Sequence, residues 1–176
     1  DAYKQVEHIA CGKLVGMLPP ELQPDFAEAL TPTDPEVEEL VKAADKLGVK
    51  VISAYAFSTE NWKRPVTEVN FIMELLSRYL TNEIQDFNDN NVQVRFIGSR
   101  EGLPEVVKQK MDHAIAETKD NTGIILNLAI NYGGQAEIMH AVKAIAQEAV
   151  EGRLDVAKID NQVVEDHLYT AGLPAP

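Results

Sequence analysis

From residue 34 onward the chain alternates between stretches of helical and of strand-like apolar spacing. Asp34-Pro35 reads as an N-cap followed by proline at the first helical position. Val37, Leu40, Val41, Ala44 and Leu47 then recur three and four residues apart, and Gly48 closes that helix. Residues 49–57 form a short, largely apolar, β-branched run, the composition of a strand buried on both faces. Residues 58–65 are polar and end in proline, which predicts a loop. Thr67 is the expected cap of a long helix carrying Phe71, Ile72, Leu75, Leu76, Tyr79, Leu80, Ile84 and Phe87, broken at Asn90-Asn91.

A second strand is predicted over 92–97, up to Gly98, and a helix over 104–119 with Val107, Met111 and Ile115 inward. Asn121-Thr122-Gly123 then turns into a third strand, 124–130. Gly133-Gly134 opens a helix over 136–151 whose expected apolar face is Ile138, Ala141, Val142, Ile145 and Ala146. A last short helix is predicted over 161–169. This β-α-β-α-β-α order, with crossovers long enough for parallel pairing, predicts an α/β fold with a doubly wound, mostly parallel sheet. The first 33 residues differ, because Pro19-Pro20, Pro24 and Pro32 interrupt any long helix, and residues 6–15 have room for one strand. No internal repeat or low-complexity linker divides the chain, so residues 1–176 read as one domain.

Composition narrows the function classes. The 176 residues are 45% hydrophobic and 25% charged, which suits one α/β domain with a real core. Sixteen basic against 28 acidic residues give a net charge of −12, which argues against nucleic-acid binding but leaves room for a local phosphate site. The single Cys11 has no intramolecular disulfide partner, which fits a reducing compartment. No apolar run approaches the ~18 residues of a membrane span, and no signal-peptide pattern opens the chain. The first residue is Asp, consistent with a processed, trimmed or partial product.

Ligands of open parallel sheets bind beyond the carboxyl ends of the strands. The first such end carries Ser58, Thr59, Glu60, Asn61, Trp62, Lys63 and Arg64 in succession. Loops are commonly polar and solvated, but a Trp on a polar loop needs a surface to pack against. The Gly133-Gly134 pair suits either a candidate anion site at a helix N-terminus or simple helix-entry sterics. His8, His113, His140 and His167 fall at no metal-ligand spacing. Gly12-Lys13 lacks the upstream glycine of a phosphate loop, and no G-x-G-x-x-G occurs.

The run A-Y-A-F-S-T-E-N-W-K-R-P-V-T-E-V over 54–69, with V-R-F-I-G and then L-P, and N-T-G-I-I-L-N-L-A-I-N-Y-G-G-Q-A-E-I, resembles the cis-prenyltransferases, the undecaprenyl diphosphate synthase family. The likeness extends over roughly residues 37–174, about four fifths of the chain. It implies condensation of isopentenyl diphosphate with a farnesyl-type allylic diphosphate, giving a polyprenyl, undecaprenyl-type diphosphate that serves as a cell-wall lipid carrier. Such chemistry needs cationic and N–H groups for the diphosphates, usually with Mg2+, and a weak base near the leaving proton. It also needs a dry tunnel for the chain, where each buried CH2 is worth ~0.8 kcal/mol.

Residue by residue, the resemblance places Ser58, Thr59 and Glu60 along the substrate site and Asn61 at the position of the proton acceptor. An amide is a poor base, so Asn61 is read as positioning the reacting group or relaying through a diphosphate oxygen. Trp62 falls at the allylic site, Arg64 on diphosphate, and Glu68 at the second substrate. Arg64 as a solvated surface residue is the plain alternative. Ile52, Ala54, Leu126, Leu128 and one face of the 71–80 helix are expected to line the hydrophobic tunnel, or else to be ordinary core.

The family's opening strand ends in D-G-N-G-R, whose Asp binds Mg2+; here His8-Ile9-Ala10 is followed by Cys11-Gly12-Lys13-Leu14-Val15-Gly16. Its R-x-S-G-E stretch follows a segment like Leu173-Pro174, and Gln135 stands where Arg is common. Losing one preorganised charge-stabilising group costs ~10²–10³ in rate. The resemblance therefore implies an incomplete or inactive form of the enzyme, with Mg2+ as cofactor but its usual ligands absent and no metal residue assigned. The alternative is a non-catalytic subunit that stabilises an active partner. A homodimer, a cytoplasmic location and peripheral membrane contact for product release are further implications.

Overall fold

The computed structural model describes residue 44 and residues 47–174. Asp34-Pro35, the positions Val37, Leu40 and Val41, the strand expected within 6–15, and Cys11 lie outside them.

Among the described residues three parallel strands form the sheet: β1 (Val51–Ser58), β2 (Gln93–Ile97) and β3 (Ile125–Tyr132), in the order β1-β3-β2. Central position explains the sequence of β3. Every residue from Leu126 to Asn131 is buried, as a strand paired on both edges and covered on both faces requires. Between the strands run α1 (Val66–Asn82), α2 (Ile84–Asp89) and α3 (Glu105–Thr118); α4 (Gly134–Val150) and α5 (Asn161–His167) follow β3.

One face of the sheet presents Ile52, Ala54, Phe57, Val94, Leu126, Leu128 and Ile130 to Val69, Met73, Leu76 and Leu80 of α1, Phe87 of α2, and Val107, Met111 and Ala114 of α3. Thr118 ties this layer to β2: its hydroxyl accepts the Val94 N–H at 3.0 Å and donates to the Ala114 carbonyl at 2.8 Å. The strand residues expected to line a tunnel, Ile52, Ala54, Leu126 and Leu128, all belong to this packed core.

Several expectations need correction. The 58–65 loop is a 3-10 helix over Thr59–Lys63, because the Arg64 N–H returns to the Asn61 carbonyl at 3.1 Å. Thr67 does not cap α1; Pro65 does, its carbonyl accepting the Glu68 and Val69 N–H groups at 3.0 and 3.1 Å. The long helix is two, divided at Glu83, and chain reversal follows at Asn91 with φ +55°. Ile115 is 38% exposed, because Met111, Ala114 and Thr118 already fill the inward side of α3.

The largest difference is in α4. Ala141 and Ile145 are buried as expected, but Ile138 and Val142 are more than half exposed and Ala146 is exposed. The buried side runs instead through Glu137, Ala141 and Ile145. Glu137 is held there because its carboxylate accepts the Tyr132 hydroxyl at 2.7 Å and the Tyr169 N–H at 2.8 Å.

Candidate functional site

At the carboxyl end of β1 the register against β3 slips between Tyr55 and Phe57, leaving Ala56 as an extra residue. Such a bulge re-aims a strand end. Here it turns Phe57 into the core, 2% exposed, and sets Ser58 beside Tyr132. The Thr59–Lys63 turn then starts against the exit of β3.

Each expected site residue has a definite place. The Ser58 N–H donates to Asn61 Oδ1 at 2.8 Å, so the Asn61 amide oxygen is engaged locally. Thr59 packs on the backbone of Gly133, where an added Cβ would lie 2.5 Å from its Oγ1. That contact accounts for the first glycine of the pair by close approach. Trp62 stacks edge-on against Phe57, ring centroids 5.0 Å apart, and its Nε1–H donates to Asn131 Oδ1 at 2.7 Å. The surface a loop tryptophan requires is therefore present.

Arg64 and Glu68 are brought together as an ion pair across the start of α1, Nη1 to Oε2 at 3.4 Å, both nearly half exposed. An exposed pair of this kind is worth about 0–1 kcal/mol, so the guanidinium is readily exchanged onto a better anion. Glu60 is exposed and makes no hydrogen bond or ion pair with a described residue. Ser58–Asn61, Trp62 and Arg64–Glu68 thus form three consecutive units along one turn rather than one hydrogen-bonded cluster.

Asn131 was missed by sequence reasoning. It is 6% exposed, has φ +51°, and joins three strand exits: besides Trp62, its Nδ2 donates to the carbonyls of Ser99 at 3.0 Å and Glu101 at 2.9 Å. The available signal was a polar residue closing a largely apolar strand just before Tyr-Gly-Gly. Beside it, burial first and then the Glu137 carboxylate hold the Tyr132 phenol above its ordinary range.

Among the described residues no three His, Cys, Asp or Glu side chains converge as a metal-binding group. The histidines they include are engaged otherwise: His113 lies near Glu117, His140 stacks on Tyr169, and His167 bonds the Val163 carbonyl. A cavity of about 450 Å3 lies elsewhere, beside β2, lined by residues including Gln93, Arg95, Lys119 and Tyr169. No residue of 58–68 lines it. No described helix is long and apolar enough to cross a membrane.

Comparison with known proteins bears on the family and the fold of the chain. A family model for undecaprenyl diphosphate synthase matches residues 31–176. The isoprenyl transferase of Clostridium perfringens is 44% identical over 140 residues, covering 80% of this chain and 55% of that protein. That of Bacillus anthracis is 43% identical over the same length, 54% of its own. Among solved structures, lavandulyl diphosphate synthase from Lavandula x intermedia, in complex with dimethylallyl diphosphate, superimposes with a TM-score of 0.73 at 29% identity, over 76% of this chain and 58% of that one. The chain spans about half the length of the curated relatives it matches. A family model that covers most of the chain, relatives above 40% identity and a shared parallel α/β fold leave one conclusion: the chain belongs to the undecaprenyl diphosphate synthase family of prenyltransferases.

Proposed function

We propose that this chain carries the allylic-diphosphate side of a cis-prenyl elongation site, in which isopentenyl diphosphate adds to a farnesyl-type allylic diphosphate to extend a polyprenyl chain of undecaprenyl type. The observation that carries the reading is the Thr59–Lys63 turn at the exit of β1, with the Trp62 indole pinned to β3 through Asn131. Trp62 offers a flat apolar wall beside the exposed cations Lys63 and Arg64, a combination suited to a prenyl tail ending in a diphosphate.

Ser58 and Thr59 line the turn on its strand side. Arg64 leaves its weak partner Glu68 for the diphosphate, which frees that carboxylate to face the second substrate. Asn61 acts as a donor: with Oδ1 accepting the Ser58 N–H, its NH2 orients the reacting group or a diphosphate oxygen and does not take the proton. Glu60 stands at the solvent edge of the site. A prenyl tunnel along α1 would require the packed cluster of Ile52, Ala54, Leu126 and Leu128 against that helix to open. Mg2+, implied by the resemblance, finds no fitting donor set among the described residues. A homodimer, a cytoplasmic location and peripheral membrane contact on product release belong to the same reading and rest on the family alone.

The test is direct titration of the chain with farnesyl diphosphate, read by Trp62 emission, alongside isopentenyl incorporation. Arg64→Gln is expected to weaken binding about tenfold or more, as for a charge-assisted bond of about 1.5–3 kcal/mol. Absence of any allylic diphosphate binding by the wild-type chain would sink the reading. Binding without turnover, with stabilisation of a complete homologue on mixing, would point instead to a non-catalytic subunit.

A further inference from the structure

Three strand exits converge on one side chain. Asn131 closes β3 with φ +51°, a left-handed conformation that asparagine tolerates better than most residues. Its amide is oriented without ambiguity, because an indole N–H only donates and a backbone carbonyl only accepts. Oδ1 must therefore face Trp62, and Nδ2 must face the Ser99 and Glu101 carbonyls, as found. The backbone adds a fourth link, since the Asn131 carbonyl accepts the Ser99 N–H at 3.2 Å. Close approach reinforces it: a Cβ on Gly98 would fall 2.1 Å from the Ile130 carbonyl oxygen, so the exits of β2 and β3 touch backbone to backbone.

We propose that Asn131 is a positioning residue for the allylic site. It fixes the plane of the Trp62 indole and locks that plane to the loop after β2, so that the wall beside Arg64 is preorganised before substrate arrives. This inference rests on the reading of the 58–68 segment as the allylic-diphosphate site. Side-chain rings turn freely about two torsions unless packing or a hydrogen bond stops them. Phe57 restrains one edge of Trp62, and the Asn131 bond restrains the other. A residue at 6% exposure with both amide atoms engaged also leaves the substrate no access to it, so its effect passes through Trp62.

Trp62 is the chain's only tryptophan and reports on this arrangement directly. Asn131→Gly accepts the same φ and removes all three side-chain bonds. It is expected to raise acrylamide quenching of Trp62, and to raise the Kd for farnesyl diphosphate about tenfold, the loss of roughly one well-placed hydrogen bond. Asn131→Asp keeps an acceptor for the indole but turns two donations into oxygen facing oxygen. It is expected to leave Trp62 quenching near the wild-type value and to speed amide exchange in the 99–103 loop. Should the glycine variant not fold, the aspartate variant still decides the matter, because its charged acceptor should move the Trp62 indole N–H resonance downfield, and an unmoved resonance would overturn the proposal. Trp62 quenching unchanged in Asn131→Gly, or raised in Asn131→Asp, would overturn the proposal. A wild-type chain that binds no farnesyl diphosphate while its Trp62 is released by Asn131→Gly would refute the site reading and leave the clamp standing.

Discussion

The two faces of the sheet are closed in different ways. Beneath α1, α2 and α3, strand and helix side chains interleave into one apolar cluster, beside which the buried Thr118 hydroxyl is bonded twice. On the other face Ser53, Asn127 and Arg95 lie in register across β1, β3 and β2. There Asn127 is fully buried and donates to Ser53 Oγ at 3.0 Å, while its Oδ1 has no described partner. An orphaned buried acceptor costs about 1–3 kcal/mol, and Asn127 lines the cavity beside β2, so this face leaves open among the described residues an acceptor that the first does not. The difference marks which surface is finished within the described residues: the face under α1–α3 supports the strand exits, and the other borders an open cavity and a half-bare helix.

The contrast breaks most sharply at Leu128, 5% exposed at the centre of β3. If that face is packed core, Leu128→Ala should lower unfolding free energy by about 2–5 kcal/mol in denaturant melts. If the residue instead lines an open prenyl tunnel, little contact is lost, the cost falls well below that range, and farnesyl diphosphate binding changes instead. The next effect tests the polar joint of the same face. Thr118→Val keeps the shape but strands the Val94 N–H, and should cost about 1–3 kcal/mol. A near-neutral result would mean that β2 is held to α3 by apolar packing alone.

Alkaline pH probes the second face. Burial and the Glu137 carboxylate raise the Tyr132 phenol, and burial first and then Glu137 act likewise on Tyr169. A raised folded pKa contributes stability that is complete below the unfolded tyrosine value of about 10 and drains as pH climbs through the folded value. Melting temperature should therefore fall above pH 10, and fall less steeply in Tyr132→Phe. Tyr79 of α1, raised chiefly by burial and then by Glu83 and Asp86, keeps part of the slope in that variant. Equal slopes in both proteins would remove Tyr132 from the account.

What the sequence revealed follows from the range of the forces involved. Apolar runs and their period locate β1, β2, β3 and α3 within two residues, because burial of those side chains is set locally by spacing. The family likeness at 54–69 singled out one segment, and the fold brings that segment to the exit of β1 beside β3. The Thr59–Lys63 turn was not legible, since it depends on Asn61 reaching back to Ser58, a side-chain choice that polar composition leaves open. Asn131 was hidden because its partner Trp62 is 69 residues away. In α4 two adjacent apolar stripes, Ile138-Val142-Ala146 and Ala141-Ile145, satisfy the same helical period. Periodicity cannot choose between them; the Glu137 bonds to Tyr132 and Tyr169 do.

That choice gives the smallest expected effect on stability and the cleanest separation of the faces. Ile138 and Val142 are 58% and 53% exposed, so little of their surface is removed from water by folding. Exposed substitutions away from caps and networks usually stay within about ±0.5 kcal/mol. Ile138→Ser and Val142→Ser should each leave denaturant midpoints almost unchanged while lowering concentration-dependent association by sedimentation, because an apolar stripe on one turn after another is itself adhesive. A loss comparable to Leu128→Ala would mean that α4 is turned inward after all. The helix would then close the second face of the sheet with the very residues that periodicity first suggested, and the two faces would be alike.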